Sequence, residues 1–221
     1  MQGPPTQDYA GSDAPGALVM CLEKNAKEPC SFDAVNLSMK KTADNAATWE
    51  PHYLRTAKVV FSHGQENMPL LLIVTGSLHA GDGDQTVCTE LIGYDAAADA
   101  LHRVYGKCTG HNNNQEIRFV SGGSLRGSIL SAEPEQKAPY GYCIEVDQAW
   151  HAGVYRQVLR FKSATRYNDG NRLAVLDSEM PAIEERLGLW KSGEPLPVPA
   201  GVACPKPTLR NNELWCDGNV H

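Results

Sequence analysis

The side chains best suited to chemistry fall in two short stretches, His79-Ala80-Gly81-Asp82-Gly83-Asp84 and His111-Asn112-Asn113-Asn114-Gln115-Glu116. A histidine beside carboxylates can move protons near neutral pH. Closely spaced Asp residues between glycines offer the oxygen ligands that calcium takes. Asn and Gln amides supply donors and acceptors suited to sugar hydroxyls or peptide backbone. His79, Asp82, Asp84, His111, Asn113 and Glu116 are therefore the candidate binding residues, and a pocket formed by their two loops would suit hydrogen-bonding ligands. Each stretch also has a plainer reading. The Gly81–Asp84 run lacks the rest of a calcium loop and reads more readily as a solvated turn. Asn is a common turn residue that enters the left-handed region and bonds its own backbone.

No catalytic set is legible. Gly122-Gly123-Ser124-Leu125-Arg126-Gly127 has one residue too many for a nucleophile elbow, and no helical pattern follows it. The zinc-protease and P-loop signatures are absent. A glycosidase pair needs two acids about 5–10 Å apart, and 26 acidic residues offer no basis for choosing them. Glu184 and Glu185 fall on a short helix whose other face carries Ile183 and Leu187, so both are expected in solvent. The pattern calls for no metal and no cofactor. The Asn36-Leu37-Ser38 sequon matters only on a eukaryotic secretory route.

The seven cysteines say more. None is spaced C-x-x-C, which disfavours zinc ribbons and thioredoxin-like sites. The spacings suggest local staples, Cys21–Cys30, Cys88–Cys108 and Cys204–Cys216. The middle pair has a geometric basis. Strands Thr86–Tyr94 and Leu101–Thr109 form a hairpin turning at Asp95–Asp99. With the turn centred on Ala98, Cys88 opposes Cys108, Leu91 opposes Tyr105 and Ile92 opposes Val104. Directly opposed residues lie within disulfide reach. Cys143 is left over in an apolar run and is expected as a free, buried thiol packing like a small hydrophobe. Seven reduced cytosolic thiols are the competing framework. Disulfides persist in oxidising compartments, which places the protein in a periplasm or outside the cell.

The elements that must position these groups are mostly strands. Apolar or alternating runs cover Ala57–His63, Leu70–Gly76, Glu116–Val120, Gly127–Ser131, Tyr140–Val146, Val154–Lys162 and Arg172–Leu176. In Val154–Lys162, Tyr155, Leu159 and Phe161 would share one face, opposite Arg156, Arg160 and Lys162. One short helix is expected around Ser178–Leu187, with Pro181 in its first turn and Gly188 just past its end. Pro195, Pro197, Pro199, Pro205 and Pro207 suggest an extended segment lying over the domain. Ile73–Gly81 faintly resembles Phe119–Gly127 at an offset of about 46 residues, within the range of propeller blades. The fold class is all-β, mainly antiparallel, as a β-sandwich or a small propeller-like body with one short C-terminal helix. Residues 1–16 read as a disordered segment, 17–191 as a β-rich domain, and 192–221 as a Pro-rich tail pinned by a disulfide.

Hydrophobic residues are 42% and charged residues 21% of the 221, ordinary for a chain with a packed core. The longest apolar run, Leu70–Val74, is far short of the roughly 20 residues that span a bilayer, so no transmembrane segment is expected. Twenty-six acids against 20 bases and no basic stripe disfavour nucleic acid as a partner. The first residues contain no signal peptide, and Met1 is expected to replace a removed export signal or lipid anchor. The functional expectation is a non-catalytic exported protein of inhibitor, immunity, accessory-lipoprotein or envelope-interaction type. Its polar loops would recognise a protein or a cell-envelope glycan. An exported hydrolase acting on polysaccharide or peptidoglycan is the alternative.

Overall fold

The structure, a computed structural model, describes residues 2–18, 50–62, 68–110, 114–135, 140–150 and 153–216. The protein is mostly antiparallel β-sheet with short helical turns near the C-terminus. It divides into two compact units, residues 1–112 and 113–221, where the sequence suggested one body over 17–191.

In the first unit, β1 (Thr6–Gln7) pairs with β2 (Asp13–Ala14), so a hairpin stands within the segment expected to lack fixed structure. Ala14 is buried, and His52 Nδ1 lies 2.8 Å from the Pro15 carbonyl, which anchors the hairpin. β3 (Tyr53–Phe61), β4 (Pro69–Gly76), β5 (Thr86–Asp95) and β6 (Ala100–Gly110) then form a four-stranded antiparallel meander in chain order. The continuous apolar run of β4 reflects burial on both faces: Leu70, Leu72 and Ile73 are all covered. Ile73 and Ile92 form a cluster with Leu71 and Leu101.

Cys88 opposes Cys108 and the two are joined by a disulfide; Leu91 opposes Tyr105. Ile92, however, faces Arg103 rather than Val104. The turn explains the slip. Asp95 pairs with Ala100, and the Asp95 carboxylate accepts from the amides of Ala97 (2.9 Å) and Ala98 (3.2 Å). Asp99 takes the left-handed conformation at φ 50°. This turn is one residue shorter than a loop centred on Ala98, so Val104 is accommodated as a β-bulge.

The second unit repeats the meander: β7 (Glu116–Phe119), β8 (Ile129–Pro134), β9 (Gly141–Ala149) and β10 (Tyr155–Arg166). One face carries Leu130, Ala132, Tyr142, Ile144 and Val146. They pack against Val175 and Leu176 of α1 (Val175–Ser178) and Met180 and Ile183 of α2 (Met180–Arg186). Each buried Leu, Ile, Val or Met side chain among them contributes about 1.5–3 kcal/mol. The run Arg172–Leu176, expected as a strand, instead turns into α1. A five-residue apolar run has no period of its own, and here its neighbours decide it. The bulge at Val158 also puts Tyr155 on the face opposite Leu159 and Phe161, where its hydroxyl donates to the Gly127 carbonyl at 2.8 Å. The two resembling Gly/Ser segments follow inequivalent strands, since β4 is internal and β7 is at an edge.

Glu179, 1% exposed, ties the helices to β10. Its carboxylate accepts from the Ser163 hydroxyl, the Thr165 amide (3.2 Å) and the Thr165 hydroxyl (2.8 Å). Such hydrogen bonding, three donors converging on Oε1, is what allows a carboxylate in a core. β11 (Pro207–Arg210) and β12 (Glu213–Cys216) form a C-terminal hairpin, stapled by the Cys204–Cys216 disulfide and packed on α1 and α2 through β12.

Candidate functional site

The first unit's candidate loop is bound up with itself. His79 meets Tyr53 edge-on at 5.8 Å. The Asp82 carboxylate accepts from the Asp84 amide at 3.1 Å, Ala80 donates to the Asp84 carbonyl at 2.7 Å, and Gly83 takes φ 87°. His79 and Asp82 are exposed. These bonds make a turn that satisfies its own backbone. Among the described residues no three His, Cys, Asp or Glu side chains converge as a metal set. His111 and Asn113 lie outside the described residues, as do Cys21 and Cys30. Glu116 belongs to the second unit, at the start of β7, and neither unit contains it together with His79 and Asp82.

A second recess in this unit, about 200 Å³, is lined by Gln7, Asp8, Tyr9, Glu50, His52, Ser77 and Leu78. Its histidine is committed to the Pro15 carbonyl and its serine donates to the Leu78 carbonyl. Both groups hold backbone in place.

The larger groove is in the second unit. It holds about 340 Å³, at the small end of ligand-binding cavities. One wall is the end of β7 and the turn after it, Arg118 to Leu125. The floor is Leu130 and Met180, and the facing wall is Glu184 of α2 with Pro197–Ala200.

Each wall has a local cause. The turn after β7 closes on a glycine bulge. Gly127, at φ 80°, donates to the Val120 carbonyl (2.7 Å), while Val120 donates to the Ser128 carbonyl (2.9 Å). Leu125, 2% exposed, plugs the turn into the core. Gly188, at φ 71°, ends α2: Leu189 donates to the Glu184 carbonyl (2.8 Å) and Gly188 to that of Glu185 (3.0 Å). This Schellman cap fixes the helix end that carries Glu184. The buried Trp190 donates from Nε1 to the Pro195 carbonyl at 2.9 Å and so holds down the proline segment.

The polar groups of the groove are paired with each other. Ser124 donates to Glu184, which is half-buried rather than in open solvent. Arg118 donates to both Asp177 oxygens and, at 2.7 Å, to Glu116. Burial pushes the Glu116 carboxyl above its ordinary range, and Arg118 pulls it part of the way back. Burial also opposes the Arg118 charge, but hydrogen bonds to its carboxylate partners more than offset this. No histidine lines the groove among the described residues, so Ser124 has a carboxylate acceptor but no imidazole base beside it.

On the sheet face turned from the helices, β9 and β10 present a charged ladder. Arg160 meets Glu145 at 3.2 Å and Lys162 meets Glu135 at 2.9 Å. Cys143 sits in this ladder as a free, half-buried thiol, with Arg160 Nε 3.2 Å from its sulfur. Reading its apolar neighbours as a buried strand misplaced it. On β9 its side chain alternates away from Tyr142 and Ile144, which take the core face.

Sequence reasoning missed Arg118, Ser124, Glu184 and Pro197–Ala200. The one signal in the chain was a proline segment interleaved with Leu196 and Val198, next to a buried tryptophan. No protein-family model matches the chain, and no curated protein or solved structure is similar enough to match it.

Proposed function

We propose that the protein is a non-catalytic, exported binding protein that grips part of another macromolecule in the groove between the β7 turn and Pro197–Ala200. The observation that supports this most is the groove itself. It is preformed, its apolar floor is continuous with a packed core, and its rim groups already satisfy one another. Binding then costs little ordering of the protein. The rim suits recognition better than bond making, since among the described residues Ser124 has no imidazole base beside it. Two disulfides favour a periplasmic or extracellular setting, and among the described residues no helix is long and apolar enough to cross a membrane. A protein partner fits better than a glycan, because the apolar lining is mostly aliphatic, Val120, Leu125, Leu130 and Met180, with Phe119 its one aromatic side chain.

The test is photo-crosslinking in extract of the source's envelope. One chain carries the crosslinker at Ser124 in the groove and another carries it at Lys162 on the opposite face. Discrete adducts from position 124 alone are expected. Equal labelling from both positions, or none from position 124, refutes the reading.

A further inference from the structure

Resting on the groove as the binding site, we propose that its occupant is an extended, basic polypeptide segment that adds to the free edge of β7 as a fifth strand. The backbone of β7 supplies the first reason. Val120 directs both its N–H and its C=O toward the β8 side, through Ser128 and Gly127. Alternation along an antiparallel strand then turns Arg118 and Glu116 the same way, and turns Ile117 and Phe119 outward. β7 is the end strand of its sheet. Among the described residues the outward N–H and C=O groups of Ile117 and Phe119 take no hydrogen-bond partner. Two such residues, spaced by two, present the donor and acceptor pattern that an incoming strand matches. The proline wall cannot fill this role itself, because residues 197 and 199 have no N–H to donate.

Charge supplies the second reason. Among the described residues, Arg118 is the one cation in the groove's lining and among the partners of that lining. It is set against Glu116, Asp177 and Glu184, so one positive charge faces three carboxylates. Arg118 is already bonded to two of them, so one negative charge of the surplus stays in that cluster and the other is at Glu184, across the groove. A strand alternates its side chains. An added strand would therefore direct one lysine or arginine toward Glu184 and, two residues away, an apolar side chain onto the floor at Leu125 and Met180. A chain-terminal carboxylate or an acidic segment would meet the same surplus as repulsion.

The probe is a displayed library of random segments of roughly ten residues, long enough for one strand, selected on the whole oxidised protein and again on its Glu184→Lys variant. Lys or Arg should be enriched on the wild type with an apolar residue two positions away, and Glu184→Lys should reverse the charge preference. Synthetic forms of the selected segments, N-methylated at alternate residues, should bind about tenfold more weakly in one phase of methylation and unchanged in the other. On binding, the amides of Ile117 and Phe119 should gain protection from hydrogen exchange. Enrichment of acidic segments, indifference to N-methylation, or unchanged exchange at Ile117 and Phe119 overturns strand addition. If adducts still form at position 124 in those cases, the groove reading survives alone. If position 124 gives no adducts and the library no enrichment, both fall.

Discussion

Replacing Cys204 and Cys216 together by alanine tests the structure where covalent and non-covalent order meet. The disulfide closes a loop of 12 residues. In the chain-entropy picture, cross-linking such a loop removes about 9.5 cal/mol/K from the unfolded ensemble, or about 2.8 kcal/mol at 25 °C. The folded side has its own stake, because β12 places Leu214 and Glu213 in buried positions beneath the helices. With a urea m-value of about 2 kcal/mol/M, the second unit's midpoint should fall by roughly 1.4 M. Trp215 lies within the hairpin, on β12, and with the buried Trp190 reports this by fluorescence. Reductant should bring the wild type to the same midpoint and leave the variant where it is. The Cys88→Ala/Cys108→Ala pair, with a 20-residue loop, should cost slightly more, about 3.3 kcal/mol, in the first unit. A Cys204→Ala/Cys216→Ala midpoint within about 0.25 M of the oxidised wild type would refute the entropic account and the pairing behind it.

Other outcomes follow from single groups. Glu179→Ala takes the acceptor from the Ser163 hydroxyl and one of two partners from both the Thr165 amide and the Thr165 hydroxyl, which keep Ser163 Oγ and Ser178 Oγ, and should cost about 1–3 kcal/mol by urea unfolding, while Glu179→Gln costs less; equal losses would contradict the assignment. Burial raises the Glu90 carboxyl above its ordinary value, against the pull of Arg103. The folded state therefore holds this proton more tightly than the unfolded chain does. That contribution is fully present below about pH 4.5 and is lost as pH rises through the raised value. The stability of Glu90→Gln relative to wild type should accordingly climb from pH 4.5 upward, and a flat difference would count against the burial. The Cys143 thiol should react with a maleimide in the native protein, whereas Cys88, Cys108, Cys204 and Cys216 stay unlabelled, by peptide mapping; protection of Cys143 until denaturation would return it to the core.

Local signals carried the fold. The Cys88–Cys108 hairpin was legible because a turn, an alternation and a pair of sulfurs all lie within about two dozen residues and agree on one register near the cysteines. The register nearer the turn was misjudged by one residue, because sequence spacing cannot distinguish a five-residue loop from a shorter turn with a bulge. Residues 172–176 failed for a related reason. Five apolar residues suit a strand or a buried helical turn, and the choice was made by packing under the sheet. The groove was invisible for a stronger reason. Arg118 and Asp177 are 59 residues apart, and Ser124 and Glu184 are 60 apart. Three chain segments, each unremarkable alone, must converge before there is a site. The polar loops drew attention because their residue types were rich, yet in the stretch 79–84 the Asp82 carboxylate and the Asp84 backbone serve the turn itself.

Both four-stranded sheets are laid down in the order of synthesis, each strand bonding its immediate successor. Loop-closure costs stay small in such a layout, so pairing can zip forward as the chain emerges. The first sheet, with its own sulfur clasp at Cys88 and Cys108, is complete before residue 113 is made. A chain that emerges from its N-terminal end therefore presents all the partners of its first sheet, sulfur clasp included, before any strand of the second exists.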